Sequence, residues 1–287
     1  MEYRQSALKD YFLCPRLYYY RWDRDVQIPY TRYSKAAVIG NALHAYLATE
    51  DRLNEDAFLE AFASRIPAEV FDLWGKDKYV EANREAWEIL SHSFPSILMK
   101  QDEWRTEPDI GREIEVKFSY GSNDFHGRID AIWENGSDVY VVDFKSGDPK
   151  LRGNTQFDFQ LQFYAFGLQA SGTCHPTHIV HCYLRDFVPW KVTRGRCVKG
   201  ERRGKGFYVS EWNESASNMF QERLTGLVSG IEKKHFFPRD GKYCFMCAFQ
   251  EVCQSGVSIK DFESVEKDKL PPEIQKELNE EMRRYTE

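Results

Sequence analysis

The sequence has no apolar stretch approaching the roughly eighteen residues that a membrane-spanning helix needs, so a membrane protein is not expected. The first six residues, from Met1 to Ser6, contain no apolar signal-peptide region, which predicts a cytoplasmic protein. No Gly-x-x-x-x-Gly-Lys-Ser/Thr loop is present, so the chain carries no helicase motor of its own. The net charge of -6 argues against wholesale nucleic-acid binding and confines any such binding to a local basic path.

The 287 residues include 42% hydrophobic and 15% aromatic side chains, which suffices for a sizeable core. Apolar residues recur at helical spacing through the first hundred residues, alternate from Ile110 onward, and return to helical spacing after Asp158. This order of helices, a β-meander, and then helix, strand and helix predicts a mixed α/β layer fold. The charged stretch 258–287 is expected to include a helix after Pro271-Pro272, loosely packed on the body rather than acting as a partner-binding arm.

A predicted β-hairpin lies at the centre of the chain. Two β-rich runs, 125–133 and 139–145, flank the turn-forming residues 134–137. A two-residue turn at Asn135-Gly136 would place Asp130 opposite Val141, and a turn at Gly136-Ser137 would place it opposite Asp143. A three-residue loop would send Asp130 to the other face of the hairpin.

Either two-residue turn gathers Asp130, Asp143 and Lys145 on one face, because Asp143 and Lys145 are two positions apart on a strand. Two carboxylates and an ammonium can hold a divalent metal and stabilise charge on a reacting phosphate. The residues alone leave a second interpretation open, namely a cross-strand salt bridge on a solvated surface.

Cysteine is the chain's other chemical signal. Cys244, Cys247 and Cys253 lie close together near the end, and Cys14 precedes a proline near the start. Because a cytoplasmic chain keeps its thiols reduced, metal ligation is favoured over disulfides. Four cysteines suit either zinc or an iron–sulfur cluster, and the spacing does not decide between them. The alternative is a set of buried apolar cysteines, which is the interpretation we give to Cys174, Cys182 and Cys197.

A basic run with aromatic neighbours offers a path for nucleic acid. Its cations are Lys191, Arg194, Arg196, Lys199, Arg202, Arg203 and Lys205, and its flanking rings are Trp190, Phe207 and Tyr208. Such a groove suits single-stranded DNA, whose bases stack on aromatic rings. A solvated basic loop is the alternative.

Four short motifs follow one another between the cysteines: Gly40–His44, Gly127–Asp130, Asp143–Lys145 and Gln160–Tyr164. In this order they resemble the RecB-like PD-(D/E)XK nucleases. With Cys14 before them and three cysteines after, they are similar to the iron–sulfur branch of that family. The branch includes the AddB nuclease domain, the CRISPR-adaptation exonucleases and the eukaryotic Okazaki-flap nuclease-helicase.

The resemblance implies a restriction-endonuclease-like core, a mixed central sheet flanked by helices, and a cysteine-ligated cluster that joins both ends of the chain. It implies a nuclease domain over 1–257, with a catalytic core at 36–215 that carries a helical insertion at about 50–100. Residues 1–25 and 235–257 would bind the cluster, and 258–287 would form a tail.

The same resemblance implies roles for individual residues. Mg²⁺ or Mn²⁺ would be bound by His44, Asp130, Asp143 and the backbone carbonyl of Phe144, with Lys145 as the catalytic cation. Gln160 and Tyr164 would touch the substrate and orient the lysine. A [4Fe–4S] cluster, with zinc as the alternative occupant, would be held by Cys14, Cys244, Cys247 and Cys253. Glu115 is a possible additional acid, and Arg16 and Arg128 are further candidate phosphate contacts.

The implied activity is a metal-dependent DNA exonuclease that prefers single-stranded ends, works in the 5′ to 3′ direction, and serves DNA repair, recombination or phage DNA processing. A helicase or another DNA-processing protein would be its partner. A CRISPR-adaptation nuclease that trims spacer precursors is one alternative. From a different functional class, a catalytically inactive nucleic-acid-binding protein stabilised by zinc is another.

Overall fold

The computed structural model of the protein describes residues 1–23, 35–49, 52–64, 68–104, 112–147, 154–189, 204–241, 244, 247 and 249–255. Its strands are β1 (Glu2–Arg4), β2 (Arg112–Tyr120), β3 (Asn123–Asn135), β4 (Asp138–Lys145), β5 (His178–Tyr183) and β6 (Phe207–Glu211). They form one mixed sheet in the order β1-β3-β4-β5-β6, and β2 pairs with β3. The β1–β3 and β4–β5 pairs are parallel, and the other pairs are antiparallel.

Helices make up most of the remaining described chain. They are α1 (Gln5–Leu13), α2 (Pro15–Trp22), α3 (Lys35–Thr49), α4 (Glu55–Ser64), α5 (Ala68–Trp104), α6 (Phe159–Ala170), α7 (Glu214–Glu232) and α8 (Gln250–Ser255). Cys14 separates α1 from α2 because its backbone is extended and the following proline opens the new helix. Proline suits that first position, since its missing N–H would have no partner inside the helix.

A large apolar core joins α3, α4 and α5 to the sheet. Phe58 on α4 and Phe94 on α5 are fully or almost fully buried, and they belong to the same cluster as Trp133 and Phe144 from the hairpin. Burial of rings of this size supplies roughly 1.5–3 kcal/mol for each side chain. The core therefore fixes α3 beside the strands that carry Asp130, Asp143 and Lys145, and this positions His44 on α3.

Helix α6 approaches the other strands closely. Phe163 and Phe166 on this helix contact Phe118 of β2, and Phe118 also stacks on Phe125 of β3. A Cβ atom at Gly167 would lie 2.7 Å from the ring of Phe118, so the helix could not sit at this distance with any larger residue. This packing sets the position of the first turn of α6, where Gln160 lies.

The chain divides into two compact units. One consists of Met1–Gln5 and Tyr33–Glu222 and contains the whole sheet. The other consists of Ser6–Arg32 and Arg223–Glu287 and therefore combines both ends of the sequence. In this second unit the Tyr11 hydroxyl donates to the carbonyl oxygen of His235 at 2.9 Å, and Tyr19 stacks on Phe236.

The predicted mixed α/β fold, with a central mixed sheet flanked by helices, is confirmed. Strand β1 was not predicted, because three residues are too few to show an alternating pattern. Within the described residues no helix has both the length and the apolar character to cross a membrane.

Candidate active site

The β3–β4 hairpin brings Asp130 next to Asp143. Asn135 pairs with Asp138, so the turn consists of Gly136 and Ser137, and Gly136 has the positive φ of 61° that such a turn needs. The recorded pairs end at Ala131 and Val142, one residue before the two acids. Of the two registers that the sequence left open, this is the one that places Asp130 across from Asp143.

Asp130 is held at the point where the two strands separate. Its Oδ2 accepts a hydrogen bond from the backbone N–H of Phe144 at 2.7 Å, and its Oδ1 lies 3.2 Å from Nδ1 of His44 on α3. Burial works to lower the pKa of His44, but the hydrogen bond to Asp130 and the charges of Asp130 and Asp143 outweigh burial and raise it. The two carboxylates therefore favour positive charge at this position, which is the condition that a cation-binding site requires.

A third donor, Glu113, completes this group. One ligand atom from each of His44, Glu113 and Asp130 lies within 4.8 Å of the other two. The β2–β3 register pairs Arg112 with Ala131 and Ile114 with Ile129, which places Glu113 across from Asp130. Glu113 has a φ of 53°, a left-handed conformation that is uncommon for a residue with a side chain and is often found at functional sites.

The additional acid suggested by the sequence was Glu115, two residues further on. The structure instead gives Glu115 a 3.0 Å ion pair with Lys117, and both side chains are about two-thirds exposed. The acid that joins the site is Glu113. Glu113 Oε2 also accepts a hydrogen bond from Arg128 Nη1 at 3.2 Å. Arg128, a predicted phosphate contact, therefore lies next to the donor group.

Lys145 is clamped between Asp143 and α6. Its Nζ lies 2.6 Å from Asp143 Oδ2 and donates to Gln160 Oε1 at 3.0 Å, while Gln160 Nε2 donates to the Tyr164 hydroxyl at 3.1 Å. Burial alone would lower the pKa of Lys145, but the carboxylates of Asp143 and Asp158 outweigh burial and raise it. The lysine is therefore held as a cation beside the paired acids.

Asp143 provides a test of whether a metal fits. Its side chain is 1% exposed, and burial raises its pKa, the charge of Lys145 lowers it and the charge of Asp130 raises it again, with a net increase. A second cation would stabilise such a crowded pair of carboxylates. Carboxylates with one imidazole are a donor set for Mg²⁺ or Mn²⁺, so the residues fit the metal that the motifs imply.

The Asp/Glu-x-Lys spacing is found on two strands of the sheet, β2 and β4, and burial separates these two copies. Asp143 and Lys145 lie in the buried hairpin next to His44, whereas Glu115 and Lys117 form their ion pair on the surface of β2. Asp143 lies across from Asp130, a member of the donor group. Glu115 is not in that group, within the part of the chain that the structure describes.

The remaining predicted site residues are placed as follows. Phe144 is buried, Tyr164 is buried with its ring against Gly127, and Arg16 lies on α2 with its guanidinium over Tyr19 and Tyr20. Most of the predicted DNA path, which comprises Trp190, Lys191, Arg194, Arg196, Arg202 and Arg203, lies outside the described residues.

Three further residues approach the site that sequence reasoning did not select. They are Thr155, Asp158 and His181, whose side chains contact one another behind Lys145. A cap-type aspartate directly before the apolar run of α6 was a usable signal for Asp158. For His181 the sequence carried no signal, since one histidine in an apolar strand is ordinary core.

The four predicted cluster cysteines are near neighbours in the unit formed by the two chain ends. Burial raises the pKa of Cys247, a hydrogen bond from the Phe249 backbone lowers it, and the charges of Cys14, Cys253 and Cys244 raise it further. The Cys14 Sγ accepts the backbone N–H of Arg239 at 3.3 Å. Among the described residues no three of these sulfur atoms lie within 4.8 Å of one another.

We expect Glu113→Gln to weaken Mn²⁺ binding about tenfold or more, because one anionic oxygen is lost from the donor group. The measurement is isothermal titration calorimetry with MnCl₂ in the absence of DNA. Glu115→Gln is the matched control, since it removes the same charge from the same strand outside the group. Equal weakening of Mn²⁺ binding by both substitutions would mean that Glu113 affects the ion only through its negative charge and is not a ligand.

Comparison with known proteins agrees with this geometry. The family model described as the PD-(D/E)XK nuclease superfamily matches residues 5–254. The crystal structure of a candidate exonuclease from Eubacterium rectale has 11% sequence identity, covers 90% of this chain and 91% of its own, and gives a TM-score of 0.50, which supports the fold alone. A second structure, called SSO0001, has 17% identity over 77% of this chain and 96% of its own, with a TM-score of 0.33. No curated protein matches the sequence.

Proposed function

Since the chain belongs to the PD-(D/E)XK nuclease superfamily, we propose that it is a metal-dependent exonuclease that hydrolyses DNA phosphodiester bonds at single-stranded ends. The observation that carries the proposal is the clamped Lys145, which stands beside two facing carboxylates and a histidine–glutamate pair. An ordinary surface salt bridge needs none of these additional groups.

The donor group assigns a task to each residue. Asp130, Asp143 and the Phe144 carbonyl would hold Mg²⁺ or Mn²⁺, with His44 and Glu113 at the same edge of the sheet. When bound, the ion lowers the pKa of its water and neutralises charge on the phosphate. Lys145 supplies a fixed positive charge that would position the attacking water or stabilise the negative charge that develops on the phosphate oxygens. Gln160 fixes the ammonium, and Tyr164 fixes Gln160.

The preference for single strands and the 5′ to 3′ direction rest on the basic, aromatic-flanked run 190–208 and on the resemblance to the iron–sulfur branch. Base–ring stacking of about 1–3 kcal/mol per base would favour an unpaired strand in such a groove. We place the activity in repair, recombination or phage DNA processing, with a helicase or other DNA-processing protein as partner.

The test uses linear single-stranded DNA labelled at the 5′ or the 3′ end, incubated with purified protein and Mn²⁺ or Mg²⁺. Immediate release of a labelled mononucleotide or short fragment from the 5′ label, and a gradually shortening ladder from the 3′ label, is the expected result. Circular single-stranded DNA of the same composition is the control, because an exonuclease cannot begin on it. Cleavage of the circle would replace the exonuclease proposal by an endonuclease, and no cleavage of any substrate would favour an inactive binding protein.

We further propose that Cys14, Cys244, Cys247 and Cys253 bind a [4Fe–4S] cluster. The mutual electrostatic effect of the four thiols supports a single shared site. The resemblance to the iron–sulfur branch favours a cluster over zinc in that site. Anaerobically purified protein should show a broad absorption near about 400 nm with iron and sulfide in equal amounts. Colourless protein with one bound zinc would reject the cluster.

A further inference from the structure

A buried histidine–aspartate pair lies behind the lysine. His181 on β5 is 1% exposed and pairs across the strands with Asp143 on β4. Its Nδ1 lies 3.2 Å from the Thr155 hydroxyl, and its Nε2 lies 3.5 Å from Asp158 Oδ2. Both ring nitrogens therefore face an oxygen atom, although the second distance is at the long limit for a hydrogen bond.

The two carboxylate oxygens of Asp158 have different partners. Oδ1 accepts the backbone N–H of Leu161 at 3.0 Å and so caps the start of α6, while Oδ2 faces His181. Gln160, whose Oε1 accepts a hydrogen bond from the Lys145 ammonium, lies two residues after Asp158. A shift of Asp158 would move Gln160 by a comparable distance and change the position of the ammonium.

The charge of Asp158 also reaches Lys145. Besides Asp143, Asp158 is a carboxylate that acts to raise the pKa of this lysine. Burial would raise the pKa of Asp158 itself, but the contact with the His181 ring and the charge of Lys145 hold it well below its usual range. Asp158 therefore remains an anion next to the site although its surroundings are mostly closed to water.

We propose that Asp158 and His181 are positioning residues for the nuclease reaction: His181 fixes Asp158, and Asp158 fixes the first turn of α6, where Gln160 binds the ammonium of Lys145. This inference rests on the proposed function, because the reaction is what the lysine must be positioned for. Neither residue touches substrate or metal in this assignment. Their effect reaches the reaction through Lys145 and Gln160.

A simple structural role makes a different prediction. As helix N-caps, asparagine and serine are nearly equivalent to aspartate. If Asp158 only capped α6, Asp158→Asn and Asp158→Ser would both keep the activity. If the negative charge of Asp158 also interacts with Lys145 and His181, Asp158→Asn loses activity although the helix remains capped.

The experiment measures single-turnover cleavage of end-labelled single-stranded DNA by the full chain with Mn²⁺. We expect Asp158→Asn to lower the maximal rate about 10- to 100-fold, the size of effect found for residues that orient a site from behind. The DNA concentration at half-maximal rate should change less than about twofold, because Asp158 does not bind DNA in this assignment. His181→Gln should lower the rate similarly, and the double variant should be no worse than the more impaired single variant, because the two act as a unit.

Asn213→Ala is the matched control, since Asn213 accepts the backbone N–H of Ala216 and caps α7 in the same way. It should lower the melting temperature without changing the cleavage rate. A wild-type rate in Asp158→Asn, or additive losses in the double variant, would overturn the positioning role while leaving the nuclease intact. Absence of cleavage by the unmodified protein would instead reject the proposed function itself. If His181→Gln fails to fold, Asp158→Asn and Asp158→Ser alone decide the outcome.

Discussion

Replacing Lys145 by methionine is expected to slow DNA cleavage about 100- to 1,000-fold, the effect of removing one preorganised electrostatic contact to a transition state. Methionine keeps most of the length of the side chain and removes only the charge, so the packing beside α6 is largely preserved. The ammonium is 2.6 Å from Asp143 and donates a hydrogen bond to Gln160, so both residues position this one charge. The measurement is the single-turnover rate with Mn²⁺, beside a DNA-binding titration in EDTA.

Lys117→Met is the control for this substitution. Lys117 stands two residues after an acid on a strand, as Lys145 does, and forms an ion pair of 3.0 Å with Glu115. Because its side chain is 67% exposed, the pair contributes at most about 1 kcal/mol. We expect its cleavage rate to stay within about twofold of the unmodified protein. Strong loss in Lys117→Met with little loss in Lys145→Met would move the catalytic lysine to β2.

Replacing Cys14 by alanine is expected to remove the visible absorption, lower the solubility and reduce DNA binding together. Closing the loop from Cys14 to Cys244 spans 230 residues (244 minus 14), for which chain-entropy arguments give a stabilisation of roughly 5 kcal/mol. This is a large share of the 5–15 kcal/mol that typically stabilises a whole domain. Iron content, absorption and thermal unfolding of the anaerobically purified variant are the measurements.

Cys174→Ala is the comparison for Cys14→Ala. Cys174 is not among the four proposed cluster ligands, and burial raises the pKa of its thiol to about 11, with the charge of Glu134 adding to the increase. Its iron content and solubility should equal those of the unmodified protein. Full iron in Cys14→Ala would show that a different residue is the fourth ligand, and the proposed cluster would then have to be reassigned.

The elements of the fold were predictable because each is long and periodic. The hairpin, the helix over 159–170 and the helical region before residue 104 follow from the spacing of their apolar residues. The turn at Gly136-Ser137 was one of two equal possibilities, because both candidate pairs include the glycine. The choice between the two turns is made by the packing of the whole strand pair, which is paired from Ala131–Val142 to Asn135–Asp138.

The composition of the site was less predictable than its motifs. Glu113 and Glu115 occupy equivalent positions in an alternating strand, and the left-handed backbone at Glu113 is set by tertiary structure. His181 comes from a strand that pairs with β4 in parallel, and the register of such a pair is fixed by the packing of α6 rather than by a local turn. Glu113 and His181 were therefore not predictable, because contacts between segments distant in the sequence place them in the site.

The division of the chain into units also sets an order of events during synthesis. The sheet and the candidate active site are complete in sequence once residue 222 has been made, whereas residues 6–32 belong to a unit whose other part begins at residue 223. At roughly 5–20 residues per second, translation of the 190 residues from 33 to 222 takes about 10 to 40 seconds. Throughout this interval Tyr11 and Tyr19 lack their contacts with His235 and Phe236. Tyr11 and Tyr19 can therefore contact only neighbours in their own segment until residues 235 and 236 have been made.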